Sequence, residues 1–234
     1  MLRTLFDDPV LILITLPVVI ISLTIHEFAH AFTAVKLGDN TPAITGRLSL
    51  NPLAHLDIMG FICMLLTGFG WAKPVQVNAR NFRRQKRDMA ITAFAGPVSN
   101  ILLSFVSMFI LALFAKLKVL AIYYGKGYFS GLSFGEALLM VLGTMLYYLS
   151  IWNLYLAVFN LIPIPPLDGS RLFAAVLPGR ASYYYNRYGT YFQIGLFAVM
   201  LIIIYTNVFN PISWVAGKIW NLFYSIWFGI FGVA

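Results

Sequence analysis

The sequence predicts an all-α polytopic membrane protein of about four to six membrane helices, with a small membrane-associated β or re-entrant element. Two observations carry that prediction. The 234 residues are 60% hydrophobic and only 10% charged, against roughly 45–50% and 25% in an ordinary soluble domain. Their apolar residues also fall into long uncharged runs separated by short polar loops. Sixteen basic and eight acidic side chains are too few to cover a water-soluble globule. A cytosolic enzyme, a disordered regulator and a secreted module are therefore excluded.

The first apolar run, Pro9 to Leu37, would be about 43 Å long as a helix at ~1.5 Å per residue, enough to span with tilt. Pro17 removes a backbone donor inside it and predicts a kink, and Gly38-Asp39-Asn40 ends it. From Asp39 to Asp57 the chain is polar, and Gly46 to Leu50 alternates like a short strand. Ile58 to Ala72 is uncharged but short and contains Gly60, Gly68 and Gly70, so it reads as a re-entrant or half-inserted segment. Val75 to Asn78 alternates again.

Ala90–Ala115, Ala137–Ile162 and Tyr188–Asn210 are each long enough to cross. The last run, Pro211 to Ala234, carries Lys218 and spaced Trp214, Trp220 and Trp227. It is either a span or an interfacial helix. No repeat, low-complexity tract or soluble insert interrupts the chain, so residues 1–234 read as a single integral membrane domain.

The net charge of +8 does not indicate nucleic acid. Six basic residues and one acidic residue sit together in the loop from Lys73 to Asp88, as in a cytoplasmic loop under the positive-inside rule. The loop 163–187, with Arg171, Arg180 and Arg187, then lies on the same side, and 116–136 lies outside despite Lys116, Lys118 and Lys126. Cys63, alone, carries no redox information, and no cleavable signal peptide is evident.

Two of the three histidines lie inside the first span, in His26-Glu27-Phe28-Ala29-His30. At i and i+4 the imidazoles share one helix face and can grip one tetrahedral metal ion. Glu27 projects beside them, where it can take a proton from a water on the metal. The pattern also occurs on solvated helices of soluble proteins. Inside a membrane, however, a charged group near the bilayer centre costs about 2.5–3.5 kcal/mol, and partnerless His and Glu side chains make no structural sense.

Two histidines leave a catalytic zinc site one protein ligand short. Asp168, His55, Asp57 and Glu136 are the candidates. Asp168 is the strongest because Pro163, Pro165 and Pro166 break the preceding helix and Gly169 permits a turn. Its alternative is a cap on the helix that follows.

Three separated motifs, in this order, resemble the site-2 proteases, intramembrane zinc metalloproteases. They are His26–His30, Gly96-Pro97-Val98-Ser99-Asn100, and Asn160-Leu-Ile-Pro-Ile-Pro-Pro-Leu-Asp168-Gly169. Gly46-Arg47-Leu48-Ser49-Leu50-Asn51-Pro52 and Trp71-Ala72-Lys73-Pro74 are similar to loops of the short prokaryotic branch, which lacks a PDZ domain. The resemblance runs from about residue 9 to residue 180. It implies that His26, His30 and Asp168 bind one Zn2+ per chain, that Glu27 is the general base, and that Asn160 meets the substrate carbonyl. Gly96 and Asn100 would be structural.

The implied function is hydrolysis of peptide bonds in or near transmembrane segments of membrane-protein substrates. The active site would be reached from the cytoplasmic side of a prokaryotic cytoplasmic membrane. The substrate must unwind locally, and edge pairing with the short Ile58–Ala72 segment and nearby strands such as 75–78 would hold it. His55 and Asn78 are the candidate substrate-binding residues, His55 being otherwise an ordinary interfacial histidine. The rival reading is a membrane metal transporter or a metal-stabilised non-catalytic scaffold.

Overall fold

The computed structural model describes residues 8–67, 70–123, 131–206 and 210–233. Gly68 of the short apolar segment and Lys126 of the outer loop lie outside them. Among the described residues the chain is helical: α1 (Pro9–Lys36), α2 (Thr41–Ile44), α3 (Ile58–Thr67), α4 (Gln85–Lys116), α5 (Phe134–Asn160), α6 (Asp168–Val176), α7 (Gly179–Arg187), α8 (Gly189–Thr206) and α9 (Pro211–Phe231).

Three of these, α1, α4 and α5, are long and apolar enough to cross a membrane. Asp8 caps α1, its Oδ1 accepting from the N–H groups of Val10 (3.2 Å) and Leu11 (3.3 Å), ahead of Pro9 in the first turn. The helix continues unbroken through Pro17 to Lys36. It stops where Gly38 takes a left-handed φ of 109° and the Asp39 N–H bonds back to the Ala34 carbonyl. A capping box between Ser133 and Glu136 starts α5. Hydroxyls buried in these helices bond to carbonyls one turn back: Ser22 to Val18, Thr24 to Ile20, Thr144 to Met140. That satisfies them where no water is available.

Helix α4 is the centre of the bundle, packing against α1, α5, α6 and α9. Trp227 of α9 donates to the Phe105 carbonyl of α4 at 3.1 Å, and Trp220 donates to Ser150 Oγ of α5 at 3.0 Å. Phe228 joins Met108, Leu111 and Ala112 in one apolar cluster. Two of the three spaced tryptophans thus anchor α9 to the bundle. Helix α8 contributes a shorter apolar stretch, Gly189–Val199.

The expected β element is replaced by irregular chain. Among the described residues there is no strand, only an isolated antiparallel bridge between Leu56 and Ala72. The alternating segment 75–78 sends its backbone donors elsewhere: Val75 N–H to Glu27 and Asn78 N–H to Asp39. Around Gly46, the N–H groups of Arg47 and Leu48 both turn back to the Pro42 carbonyl. Helix α3 has ten residues, about 15 Å at ~1.5 Å each, short of a crossing. It rests on Trp71, whose carbonyl a Cβ at Gly60 would strike.

Candidate metal centre

Helix α1 supplies two imidazoles one turn apart, with ring centroids 4.6 Å from each other and planes nearly perpendicular. Their Nε2 atoms are 3.0 Å apart. The third group arrives from the far end of α5. That helix ends at Asn160, the prolines force a turn, and α6 begins at Asp168. Asp168 Oδ2 stands 3.1 Å from both Nε2 atoms. Gly169 allows this approach by size rather than by a left-handed φ, since a Cβ there would strike the carbonyls of Leu161 and Ile162. His26 and His30 are buried and Asp168 is nearly so.

The other ring nitrogens are held by α4. His30 Nδ1 is 2.8 Å from the Thr92 carbonyl oxygen, and His26 Nδ1 is 2.6 Å from Asn100 Oδ1. A carbonyl only accepts, so His30 carries its proton on Nδ1 and turns a lone pair on Nε2 toward His26 and Asp168. Nitrogen and carboxylate lone pairs crowded together in this way call for a cation.

Zinc fits. The donors are of its usual kind, and two donors about 2.0 Å from one tetrahedral ion stand about 3.3 Å apart, close to the separations here. Gly96 makes the room: a Cβ there would overlap His30 Nε2, His30 Cε1 and His26 Cε1.

A family model described as Peptidase family M50 matches residues 14–203. The chain belongs to this family. Members of the site-2 protease group, M50, are thus its relatives throughout the region that builds the site. A Bacillus subtilis protein named "Putative zinc metalloprotease YwhC" is 41% identical over 163 residues, 68% of this chain and 67% of that one. "Putative zinc metalloprotease Rip2" of Mycolicibacterium smegmatis is 30% identical over 155 residues, covering 64% and 52% of the two chains. "Putative zinc metalloprotease MJ0611" of Methanocaldococcus jannaschii is 28% identical over 119 residues, 49% of each. The chain spans about half the length of the last two. No solved structure matches it.

In this M50 chain the structure brings His26, His30 and Asp168 together, their ligand atoms all lying within 4.8 Å of one another. Glu27 lies next to them in sequence, its Oε2 accepting the Val75 N–H at 3.1 Å. Asn160, at the end of α5, donates Nδ2 to its own helix at the Leu156 carbonyl, 3.0 Å away. The remaining candidates are occupied in their own loops. His55 Nε2 donates to the Ser49 carbonyl at 2.7 Å, Asp57 accepts from the Gly60 N–H, and Glu136 belongs to the capping box.

Asn78 Oδ1 accepts from the Arg80 N–H, 3.1 Å away. The Thr92 carbonyl has no signature in the sequence, and Asn100, which the resemblance marks as structural, holds His26 Nδ1. The signals for Asn100 are its place at the end of the Gly96–Asn100 motif and its primary amide inside a span, one helix turn from Gly96.

Proposed function

We propose that this M50 protein is a zinc-dependent intramembrane endopeptidase that hydrolyses peptide bonds in or next to transmembrane segments of membrane-protein substrates. The observation that carries this reading is the convergence of His26 Nε2, His30 Nε2 and Asp168 Oδ2 to within 3.1 Å of one another, with Glu27 at the adjoining helix position. One Zn2+ per chain would be held by these three atoms. Bound there, zinc supplies Lewis acidity, making water nucleophilic near neutral pH and polarising the peptide carbonyl.

Glu27 takes the proton that the attacking water loses and passes it to the leaving amine. Asn160 has a second Nδ2 hydrogen beyond the one given to Leu156, and it donates to the carbonyl oxygen as negative charge grows there. Burial of both imidazoles strengthens these electrostatic contributions by excluding bulk water.

The whole of residues 1–234 serves as one membrane domain in this reading. Its site opens to the cytoplasmic side of a prokaryotic cytoplasmic membrane. The support is the basic loop 73–88, which contains the segment touching Glu27.

The rival reading is a metal transporter or a metal-stabilised scaffold. Zinc content and cleavage of a transmembrane substrate separate the two. A protease carrying Glu27→Gln keeps its zinc and loses turnover, while His26→Ala and Asp168→Ala lose the zinc. Asn160→Ala keeps the zinc and loses about 10²-fold in kcat. Undiminished cleavage by Glu27→Gln overturns Glu27 as the base, and a zinc-loaded wild type that cleaves no transmembrane substrate overturns the protease reading.

A further inference from the structure

Behind His26 lies a polar chain that crosses three helices and is closed to solvent along its length. Ser22 of α1, Asn100 of α4 and Asn153 of α5 are each 0% exposed, in helices long and apolar enough to span. Asn100 Nδ2 donates to Asn153 Oδ1 at 2.6 Å, and more distantly to the Ser22 carbonyl at 3.4 Å. Asn153 Nδ2 donates to Ser22 Oγ at 2.9 Å and to the Leu149 carbonyl at 2.7 Å. Ser22 Oγ donates in turn to the Val18 carbonyl at 2.7 Å.

The direction of every bond in this chain follows from its far end. Leu149 and Val18 present carbonyl oxygens, which accept only. The Asn153 amide nitrogen must therefore face Leu149, and the Ser22 hydroxyl proton must face Val18, so that Ser22 Oγ accepts from Asn153. The oxygen of Asn153 is thereby turned toward Asn100, which must answer with its Nδ2. Asn100 Oδ1 is then left facing His26 Nδ1 at 2.6 Å, and that nitrogen must carry the proton. His26 Nε2 is left with its lone pair toward His30 and Asp168. If the end of the chain were free, only the long 3.4 Å bond to the Ser22 carbonyl would keep the Asn100 amide from turning over, presenting N–H to Nδ1 and moving the imidazole proton to Nε2.

We propose that Asn153 is a positioning residue for the metal centre: with Ser22 and Asn100 it fixes the His26 tautomer that can bind zinc. The inference rests on the reading of His26 as a zinc-holding residue, and it assigns Asn153 a role although no ligand atom of the cluster touches it. Partners of this kind typically change metal affinity 10–100-fold when removed. Asn153 acts one residue further out, so the lower end of that range is expected.

The test measures Zn2+ affinity by chelator competition on the purified full chain in detergent, beside the thermal midpoint of the metal-free protein. Asn153→Leu keeps the branched heavy-atom outline and removes every polar side-chain atom; Asn153→Ala replaces it if leucine does not give folded protein. Asn153→Asp offers Asn100 an acceptor oxygen in either protonation state. Binding about tenfold weaker in the folded leucine or alanine variant, and within threefold of wild type in Asn153→Asp, supports the relay. In an Asn100→Ala background, loss of Asn153 should then weaken zinc no further.

A role confined to packing lowers the thermal midpoint and leaves affinity untouched. A folded Asn153→Leu or Asn153→Ala protein that binds zinc within threefold of wild type overturns the inference, as does Asn153→Asp binding as weakly as alanine. His26→Ala keeps the two readings apart: zinc retained in that variant would overturn the metal-centre reading itself, whatever Asn153 does.

Discussion

The backbone N–H of Val75 donates to Glu27 Oε2 across 3.1 Å. This bond ties the proposed general base to an extended segment whose next anchor is Asn78 N–H on Asp39 Oδ2 at 2.7 Å. A carboxylate that must receive a proton from one direction benefits from being held on the other side. Val75→Pro removes the donor while keeping an apolar side chain. Substrate cleavage should fall about tenfold, with zinc content unchanged, as expected of lost catalytic orientation. Val75→Ala, which keeps the N–H, should cleave near the wild-type rate. An unchanged rate in Val75→Pro would remove both this role and the expected pairing of substrate with 75–78.

Gly96 faces the two imidazoles, where an added Cβ would meet His30 Nε2 and both Cε1 atoms. Gly96→Ala should therefore displace the rings or separate α4 from α1, costing about 1–3 kcal/mol as overpacking does. Zinc binding should be lost with it. Gly135→Ala, in the first turn of α5 with nothing within 4 Å of the added atom, is the matched control and should bind zinc normally. Metal titration of the two purified variants decides the matter.

Which features were legible in the sequence follows from how local each interaction is. The His26–His30 pair is a property of one helix, so spacing alone places both imidazoles on one face. Asp168 was legible because three prolines announce a break at membrane depth. The Thr92 carbonyl had no signature at all, since every residue has one and only the register of α4 against α1 selects it. Alternation at 75–78 reports side-chain polarity, yet whether a strand forms depends on where the N–H groups go, and here two distant carboxylates take them. Trp220 and Trp227 were ambiguous for a similar reason. Their spacing of seven puts both on one helix face, consistent with packing as much as with a lipid interface, and it takes the partners at Ser150 and Phe105 to show that this face packs on the bundle.

Asp39 ties the end of α1 to the basic loop. It is fully buried and accepts from Thr41 N–H and Oγ1, Asn78 N–H and Asn81 Nδ2. Burial alone would raise its pKa, but the hydrogen bonds from Thr41, Asn81 and Asn78 outweigh it, holding the carboxyl below its ordinary value of 3.8. A lowered folded-state pKa means that protonation opposes folding. The contribution of Asp39 is fully present above about pH 4 and is lost as pH falls through the lower, folded-state value. Asp39→Asn should cost about 2–4 kcal/mol at neutral pH, as lost hydrogen bonds to a charged group do. Its thermal midpoint should change less between pH 6 and pH 3 than that of the wild type.

His55 tests where the metal centre ends. Its Nε2–H is spent on the Ser49 carbonyl and its own carbonyl accepts the Lys73 N–H at 2.7 Å, so the residue joins the two loops on either side of α3. Its Nδ1 is buried without a hydrogen-bond partner, and the ring lines a small, partly open pocket with Ile20, Leu23, Thr24 and Trp71. Ile20, Leu23 and Thr24 occupy the helix face that continues to Glu27, yet His55 is not among the ligand atoms that converge on one point. His55→Ala should therefore keep the wild-type zinc content. It should lower the thermal midpoint by the equivalent of at least about 0.5–1.5 kcal/mol, the net worth of the lost Ser49 bond. Zinc lost from folded His55→Ala would instead place this imidazole in the centre and displace Asp168 from it, because a three-ligand site with an open position has room for only one of them.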